Sequence, residues 1–424
     1  MVLEYKKNYI KNFIKLIDKI ILINMGSLFL IYICNFLISI ISLPHLLKSY
    51  GLQSWGIIVI YQITINYFIW TIDWSFPKYS GRLISIKEGD KKSQDQSFIE
   101  TRTAQLILLI LCLAILLIYT NINKDFNLPY LYSSLILISH FLQPHWYLSS
   151  KERIYESAII QLLNKFLFLI LILLNINNSS SINYYFFLMG SSSFFCSLIF
   201  TILIYYKYKI PLKLGRFKNS ILLLKKSLIL FITSILDNIN NSLIVIFLNL
   251  STGSINVGIY NIAERIKGIC VQVTHPIGHS IFPRMSKNYH YDFKRADKIF
   301  KKFIKLFVLL LISIAFIIYL KINYIVSYFN VEFSSEVIST LKILIISFIF
   351  NATTEQFINQ FFIANKFYTF ISRVKLINIV IFLLFGIPII YNYGYLGAAT
   401  TNLLCEIIIF SILINKFLRL KNNC

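Results

Sequence analysis

Four long stretches in the first third of the chain contain no Asp, Glu, Lys or Arg: Ile20 to Leu47, Ser49 to Ile72, Thr103 to Asn123 and Phe126 to Ser150. Each reaches the ~20 apolar residues that a helix needs to cross a hydrocarbon core of ~30 Å. Composition agrees: 57% of the 424 residues are hydrophobic and only 14% are charged, against roughly 25% charged in an average soluble domain. This balance excludes a disordered protein, a collagen-like fibre and an ordinary cytosolic enzyme. The chain reads as an all-α polytopic membrane protein.

Twelve spans are predicted, at approximately 21–43, 53–75, 103–121, 130–149, 158–176, 182–205, 228–249, 255–281, 303–320, 338–363, 372–391 and 395–414. The formal net charge of +23 would fit nucleic acid, but its placement argues for topology instead. With the N-terminus inside, all but seven of the 41 Lys and Arg fall on the cytoplasmic side. The exceptions are Lys48, Lys124, Lys321 and Lys342 in external loops, and Lys165, Arg265 and Lys267 within or at the edge of spans. Short loops biased in this way place both termini in the cytoplasm. No nucleic-acid partner is expected.

The first twenty residues hold five lysines and no compact apolar stretch with an A-x-A end, so no cleavable signal peptide is expected. Lys7, Lys11, Lys15 and Lys19 recur every four residues opposite Tyr9, Phe13, Ile14 and Ile17, a pattern suited to lying on anionic lipid of the inner leaflet. Asp292 to Lys305 has the same character, with Ile299, Phe300, Phe303 and Ile304 opposite Arg295, Lys298 and Lys302. The chain divides into a basic amphipathic cytoplasmic N-terminus at 1–20, a six-helix lobe at 21–206 and a basic cytoplasmic linker at 207–227. A second six-helix lobe at 228–414 and a cytoplasmic tail at 415–424 complete it. Because six is even, both lobes start from the same side, and a repeat would be related by a pseudo-twofold axis along the membrane normal. A faint echo supports this: Gly51-Leu-Gln-Ser-Trp-Gly56 and Gly253-Ser-Ile-Asn-Val-Gly258 each open the second helix of their half.

Chemistry-bearing motifs are scarce. The six cysteines include no C-x-x-C pair, the six histidines no H-E-x-x-H spacing, and there is no Walker A loop or G-x-G-x-x-G. No metal, disulfide or cofactor is expected. His275 and His279 lie one turn apart around Pro276, where packing or a local polar contact is expected rather than metal ligation. The loops leave no room for a soluble catalytic domain, so the chain is not expected to be an enzyme.

Four segments carry a family resemblance. The first runs Pro44-His-Leu-Leu-Lys-Ser-Tyr-Gly51-Leu-Gln-Ser-Trp-Gly56 and continues at Asp73-Trp-Ser-Phe76-Pro-Lys-Tyr-Ser-Gly-Arg82. The second is Gln143-Pro-His-Trp146-Tyr-Leu-Ser-Ser-Lys-Glu152-Arg. The third is Val257-Gly258-Ile-Tyr260-Asn-Ile-Ala263-Glu264-Arg265-Ile, with Pro283-Arg-Met-Ser286 following. The last is Gly394-Tyr-Leu-Gly397-Ala-Ala-Thr-Thr-Asn-Leu-Leu-Cys-Glu406. In this order and spacing, from about residue 20 to 415, they resemble the Wzx-type O-antigen and polysaccharide repeat-unit flippases, in the superfamily that includes MATE exporters and the lipid II flippase MurJ. Ser75 stands where that family often has Gly, and Ser149-Ser150 where a Gln-Gly pair is common.

The resemblance implies translocation of an undecaprenyl-pyrophosphate-linked oligosaccharide across a bacterial inner membrane. Such a head group cannot cross hydrocarbon unaided. One charge at the bilayer centre costs ~2.5–3.5 kcal/mol even on the lenient insertion scale, and unsatisfied sugar hydroxyls add to it. A polar path between the lobes is therefore expected, with cations for pyrophosphate and amides for sugar. Arg265 is the first candidate, because its fork binds phosphate bidentately; pairing with Glu264 and snorkelling are the competing roles. Lys165 and Arg82 are candidates for the incoming pyrophosphate, with interfacial anchoring open for both. Asn238 and Asn241 are candidates for sugar, with polar helix packing the alternative. Asp73, Asp237, Glu264, Glu355 and Glu406 are candidates for ion coupling or for gating through ion pairs. Polysaccharide polymerase and chain-length regulator are implied partners. Two other functions compete: a MATE-like cation-coupled exporter, which predicts an acid-dominated cavity, and a membrane polysaccharide polymerase, which needs a sizeable external catalytic loop.

Overall fold

The computed structural model describes residues 2–422 apart from 88, 123–126, 179, 212, 292 and 330–332. Side chains are described for these except at 2–22, 24, 25, 28, 127, 237, 238, 240, 279, 280, 282–284, 286, 287, 290, 421 and 422. The amphipathic pattern of residues 1–20 thus lies outside the described side chains.

Among the described residues the regular elements are helices: α1 (Val2–Asp73), α2 (Phe76–Ile86), α3 (Lys91–Ile122), α4 (Asn127–Leu142), α5 (His145–Ser150), α6 (Ile154–Asn175) and α7 (Ile182–Tyr208) in the first half. In the second are α8 (Phe217–Thr252), α9 (Ser254–Tyr291), α10 (Phe293–Leu320), α11 (Ile322–Tyr328), α12 (Ser334–Gln356), α13 (Tyr368–Ile381) and α14 (Ile387–Asn422), with π-helical turns at Phe357–Ile363 and Phe382–Gly386. Among the described residues, eight helical stretches are long and apolar enough to cross a membrane. Two of these contain a backbone break, at Gly51 (φ 72°) and Gly394 (φ 54°), so each holds two segments. The twelve spans expected from the sequence compare with these eight stretches, which merge neighbouring segments. The chain is a multi-pass membrane protein.

Helices extend beyond the predicted spans because polar residues at a helix end do not stop it; only backbone chemistry does. The expected loop between the first two spans is helical apart from Gly51. In the basic stretch 207–227 the described residues between 209 and 216 are irregular, and Phe217 begins α8.

Contacts sort the chain into two units, residues 1–42 with 64–232 and residues 43–63 with 233–424. The corner at 43–63 thus groups with the second half. Its reason is visible in the glycine echo. A Cβ on Gly56 would lie 2.7 Å from the Ser254 carbonyl carbon, and one on Gly258 would lie 2.6 Å from the Leu52 carbonyl oxygen. Ser254 follows Gly253, and Leu52 follows Gly51. The two repeats therefore pack reciprocally, the second glycine of each against the backbone just after the first glycine of the other. Gly51 and Gly253 both take positive φ, 72° and 86°, which glycine does without a Cβ penalty.

In the first unit Phe98 is fully buried, with its ring 5.6 Å from Trp146 and 4.7 Å from Tyr147. Asp90 begins α3, accepting from the Ser93 amide at 3.1 Å and the Ser93 hydroxyl at 2.6 Å. In the second unit Phe300 is 1% exposed, with ring centroids of Phe357 at 5.2 Å and Phe417 at 5.6 Å. The apolar stripe of Asp292 to Lys305 therefore packs into the protein, where the sequence pattern pointed to the membrane surface. Its basic side chains Arg295, Lys298 and Lys302 stay exposed.

Two outcomes are expected. Gly258→Val overpacks the reciprocal contact at a cost of about 1–3 kcal/mol, lowering the melting temperature of detergent-purified protein; Gly26→Ala, whose Cβ would meet open space, leaves it unchanged or raised. The Ser93 hydroxyl and then its amide hold the Asp90 carboxyl below its ordinary value of 3.8. Its capping contribution is therefore present above that value and is lost as pH falls through the lowered one. Melting measured from about pH 3 to about pH 7 should show the gap between wild type and Asp90→Ala closing only at the acid end.

Candidate functional site

The intramembrane charges of the second unit gather around α9. Asn261 and Arg265 are one turn apart and share a face, so the Arg265 Nε donates to Asn261 Oδ1 at 3.1 Å. The 43–63 corner brings two more groups to that face. Arg265 Nη2 donates to Gln62 Oε1 at 3.3 Å, and the guanidinium carbon lies 4.6 Å from the centre of the fully buried Trp55 ring. Cation–π contact and two amide acceptors together orient the fork. The opposite face of α9 carries an ion pair. Glu264 Oε2 is 3.1 Å from Lys267 Nζ, and Lys267 is 4% exposed. Glu264 is therefore held by Lys267, one turn on, and Arg265 points elsewhere.

α12 and α14 complete this network. Asn402 Oδ1 accepts from Lys267 Nζ at 2.9 Å and from the Ser347 hydroxyl at 2.6 Å. Asn351 Nδ2 donates to Glu406 Oε1 at 2.7 Å. Between two and three turns further along α9, His275 Nδ1 lies 3.0 Å from Glu355 Oε1, a polar contact of the kind expected for this histidine beside packing. That pair borders a cavity of about 170 Å³ also lined by Gln356, Asn359 and Gln360. The π-helical turn beginning at Phe357 follows directly, the kind of helix irregularity that often accompanies a functional site.

Asp73, Lys165 and Arg82 belong to the first unit. Asp73 ends α1, with Oδ1 2.9 Å from His140 Nε2 on α4. Beyond it Trp74 and Ser75 both take left-handed φ, 42° and 59°. Ser75 thus adopts the conformation that the glycine of the resembled family would take freely. Its hydroxyl donates to the Leu230 carbonyl at 2.9 Å, and Trp74 stacks 3.8 Å from Phe231 while donating to the Leu224 carbonyl. Lys165 donates to Asn35 Oδ1. Arg82 is exposed on α2, and Asn241 is exposed on α8. Asp237 and Asn238 lie outside the described side chains.

Sequence reasoning missed Trp55, Gln62, Asn402 and His140, each of which touches an ionisable side chain of the helices. The Asn261–Arg265 spacing was readable on one helix. The others are more than sixty residues from the groups they touch, and no local pattern announces them. Arg102 was also missed: it was counted with a basic loop, whereas the structure buries it to 8% exposure.

Residues 21–289 match a family described as polysaccharide biosynthesis protein. Two similar proteins share the name "Putative O-antigen transporter". The one from Shigella dysenteriae is 22% identical over 91% of this chain and 97% of its own length. The one from Escherichia coli strain K12 is 21% identical over 59% of this chain and 61% of its own. Among solved structures, the lipid II flippase MurJ in an inward closed conformation superposes with a TM-score of 0.71 at 16% identity, covering 92% of this chain and 87% of that one. An inward-facing multidrug resistance MATE family transporter gives a TM-score of 0.67 at 14% identity, covering 91% and 96%. These likenesses establish the all-α polytopic fold.

Removing one partner of the α9 ion pair leaves a charge unpaired in an apolar setting, at about 3–5 kcal/mol. Lys267→Met is therefore expected to lower the melting temperature sharply, and Lys267→Met combined with Glu264→Gln to regain much of the loss. Additive losses in the double variant would show that the two side chains do not act as a pair.

Proposed function

Because the chain belongs to the polysaccharide biosynthesis protein family, we propose that it flips a polyprenyl-pyrophosphate-linked oligosaccharide by alternating access. The cargo in this reading is an O-antigen or capsular repeat unit on undecaprenyl pyrophosphate, moved from the cytoplasmic to the outer leaflet of a bacterial cytoplasmic membrane. The names of the two relatives support the substrate class. Both termini are cytoplasmic, and the chain transports its substrate without chemically altering it. Polysaccharide polymerase and chain-length regulator act downstream.

The observation that carries this reading is the setting of Arg265. A guanidinium oriented by Trp55, Asn261 and Gln62 within a spanning helix presents a fixed fork, and a fork fits the paired oxygens of a phosphate. Lys267 is unsuited to that task, because Glu264 and Asn402 occupy its ammonium. Lys165 and Arg82 meet the pyrophosphate earlier on its path, and Asn238 and Asn241 meet the sugars. Two of the acids, Asp73 and Glu355, each face an imidazole, a pairing suited to coupling or gating by proton movement. Asp237, Glu264 and Glu406 are assigned to gating in the same scheme.

A strain lacking the protein is expected to accumulate single lipid-linked repeat units that a membrane-impermeant sugar-modifying reagent cannot reach from outside. Wild type restores access, Arg265→Ala does not, and Arg265→Lys restores part of it. Full restoration by Arg265→Ala at normal expression would overturn the phosphate assignment. No trapped intermediate, with altered sensitivity to cationic drugs, would overturn the flippase reading in favour of a MATE-like exporter.

A further inference from the structure

The first unit holds a buried arginine beside a cavity of its own. A cavity of about 340 Å³ opens beside α3, with Arg102 and Phe141 among its lining residues and Lys213 and Leu214 at the exposed connector leading to α8. The Arg102 guanidinium lies 3.8 Å from the centre of the Phe141 ring. Its Nη1 donates to the Phe141 carbonyl and to Gln105 Oε1. Those acceptors and the neighbouring Tyr205 hydroxyl are neutral, and the buried Nε has no acceptor. Among the described residues lining the cavity there is no carboxylate. A buried cation with neutral acceptors and an unmade N–H bond is an expensive arrangement that an oxyanion relieves.

The remaining lining narrows the ligand. Leu106, Phe141, Leu142 and Leu214 are apolar, while Tyr205 and Thr201 bring hydroxyls. A free anion would gain nothing from four apolar walls, whereas a phosphate attached to a hydrocarbon chain would use both kinds of surface. Basic pockets at the ends of membrane helices hold anionic lipid head groups by this combination. We propose that this cavity binds the phosphate of an anionic phospholipid, with Arg102 as the buried fork and Lys213 as the outer cation.

The test measures binding and does not depend on the transport reading. Full-length protein in neutral detergent is titrated separately with phosphatidylglycerol, phosphatidylcholine and inorganic phosphate. Melting temperature and bound lipid by native mass spectrometry are followed for wild type, Lys213→Gln and Arg102→Lys. Phosphatidylglycerol is expected to stabilise wild type, with affinity weakened about fivefold in Lys213→Gln and further in Arg102→Lys, which keeps the charge and loses the fork. Lys213 is exposed, so its variant should fold as wild type does. Stabilisation by inorganic phosphate equal to that by the lipid would support the oxyanion site and assign it to a soluble anion. Equal binding of phosphatidylglycerol to all three proteins, or phosphatidylcholine binding as tightly, would overturn the proposal.

Discussion

A polar group placed among apolar helices has no water to fall back on, and its partner must come from the protein. That requirement organises both units. Lys267 is met by Glu264 and Asn402, Glu406 by Asn351, Glu355 by His275 and Asp73 by His140. Apart from the Glu264–Lys267 pair within α9, each link ties helices that are distant in sequence, so the charges that interrupt the apolar spans also fix how those spans face one another. Arg265 is oriented through an aromatic face and two amides.

The backbone supplies the second constraint. Gly56 and Gly258 sit where a side chain would strike the Ser254 and Leu52 backbone respectively. This reciprocal approach puts the 43–63 corner against the start of α9, and through that corner Trp55 and Gln62 reach Arg265. The geometry of the proposed phosphate site therefore depends on two missing methyl groups as much as on the arginine. In the first unit, Ser75 shows the opposite solution. A residue with a Cβ is held in left-handed φ, and its hydroxyl bond to the Leu230 carbonyl offsets a strain that glycine would not incur.

Much of this architecture is legible in one dimension because membrane insertion is governed by local composition. Uninterrupted apolar length marks a span wherever it occurs, and the Gly51/Gly56 and Gly253/Gly258 echo is visible as a repeat without knowing that its copies touch. The ends of the helices are less legible. Insertion concerns the apolar middle, whereas a helix continues until backbone geometry stops it, as at Gly51 and Gly394. Amphipathic pattern alone also misleads. The stripe around Phe300 has the periodicity of a membrane-surface helix, yet its apolar face meets Phe357 and Phe417, because periodicity says that a face is apolar and not what covers it.

The sequence by itself determined that the chain is an all-α polytopic membrane protein and placed most of the ionisable residues within its apolar stretches, since both follow from residues adjacent in the chain. Only the tertiary structure decided what those residues do to one another. It assigned Glu264 to Lys267 instead of Arg265, brought Trp55 and Gln62 to the arginine, and turned Arg102 from a loop charge into the buried wall of a cavity. Pairing energies depend on distance in space, and helices far apart in sequence meet at contacts that no local pattern records.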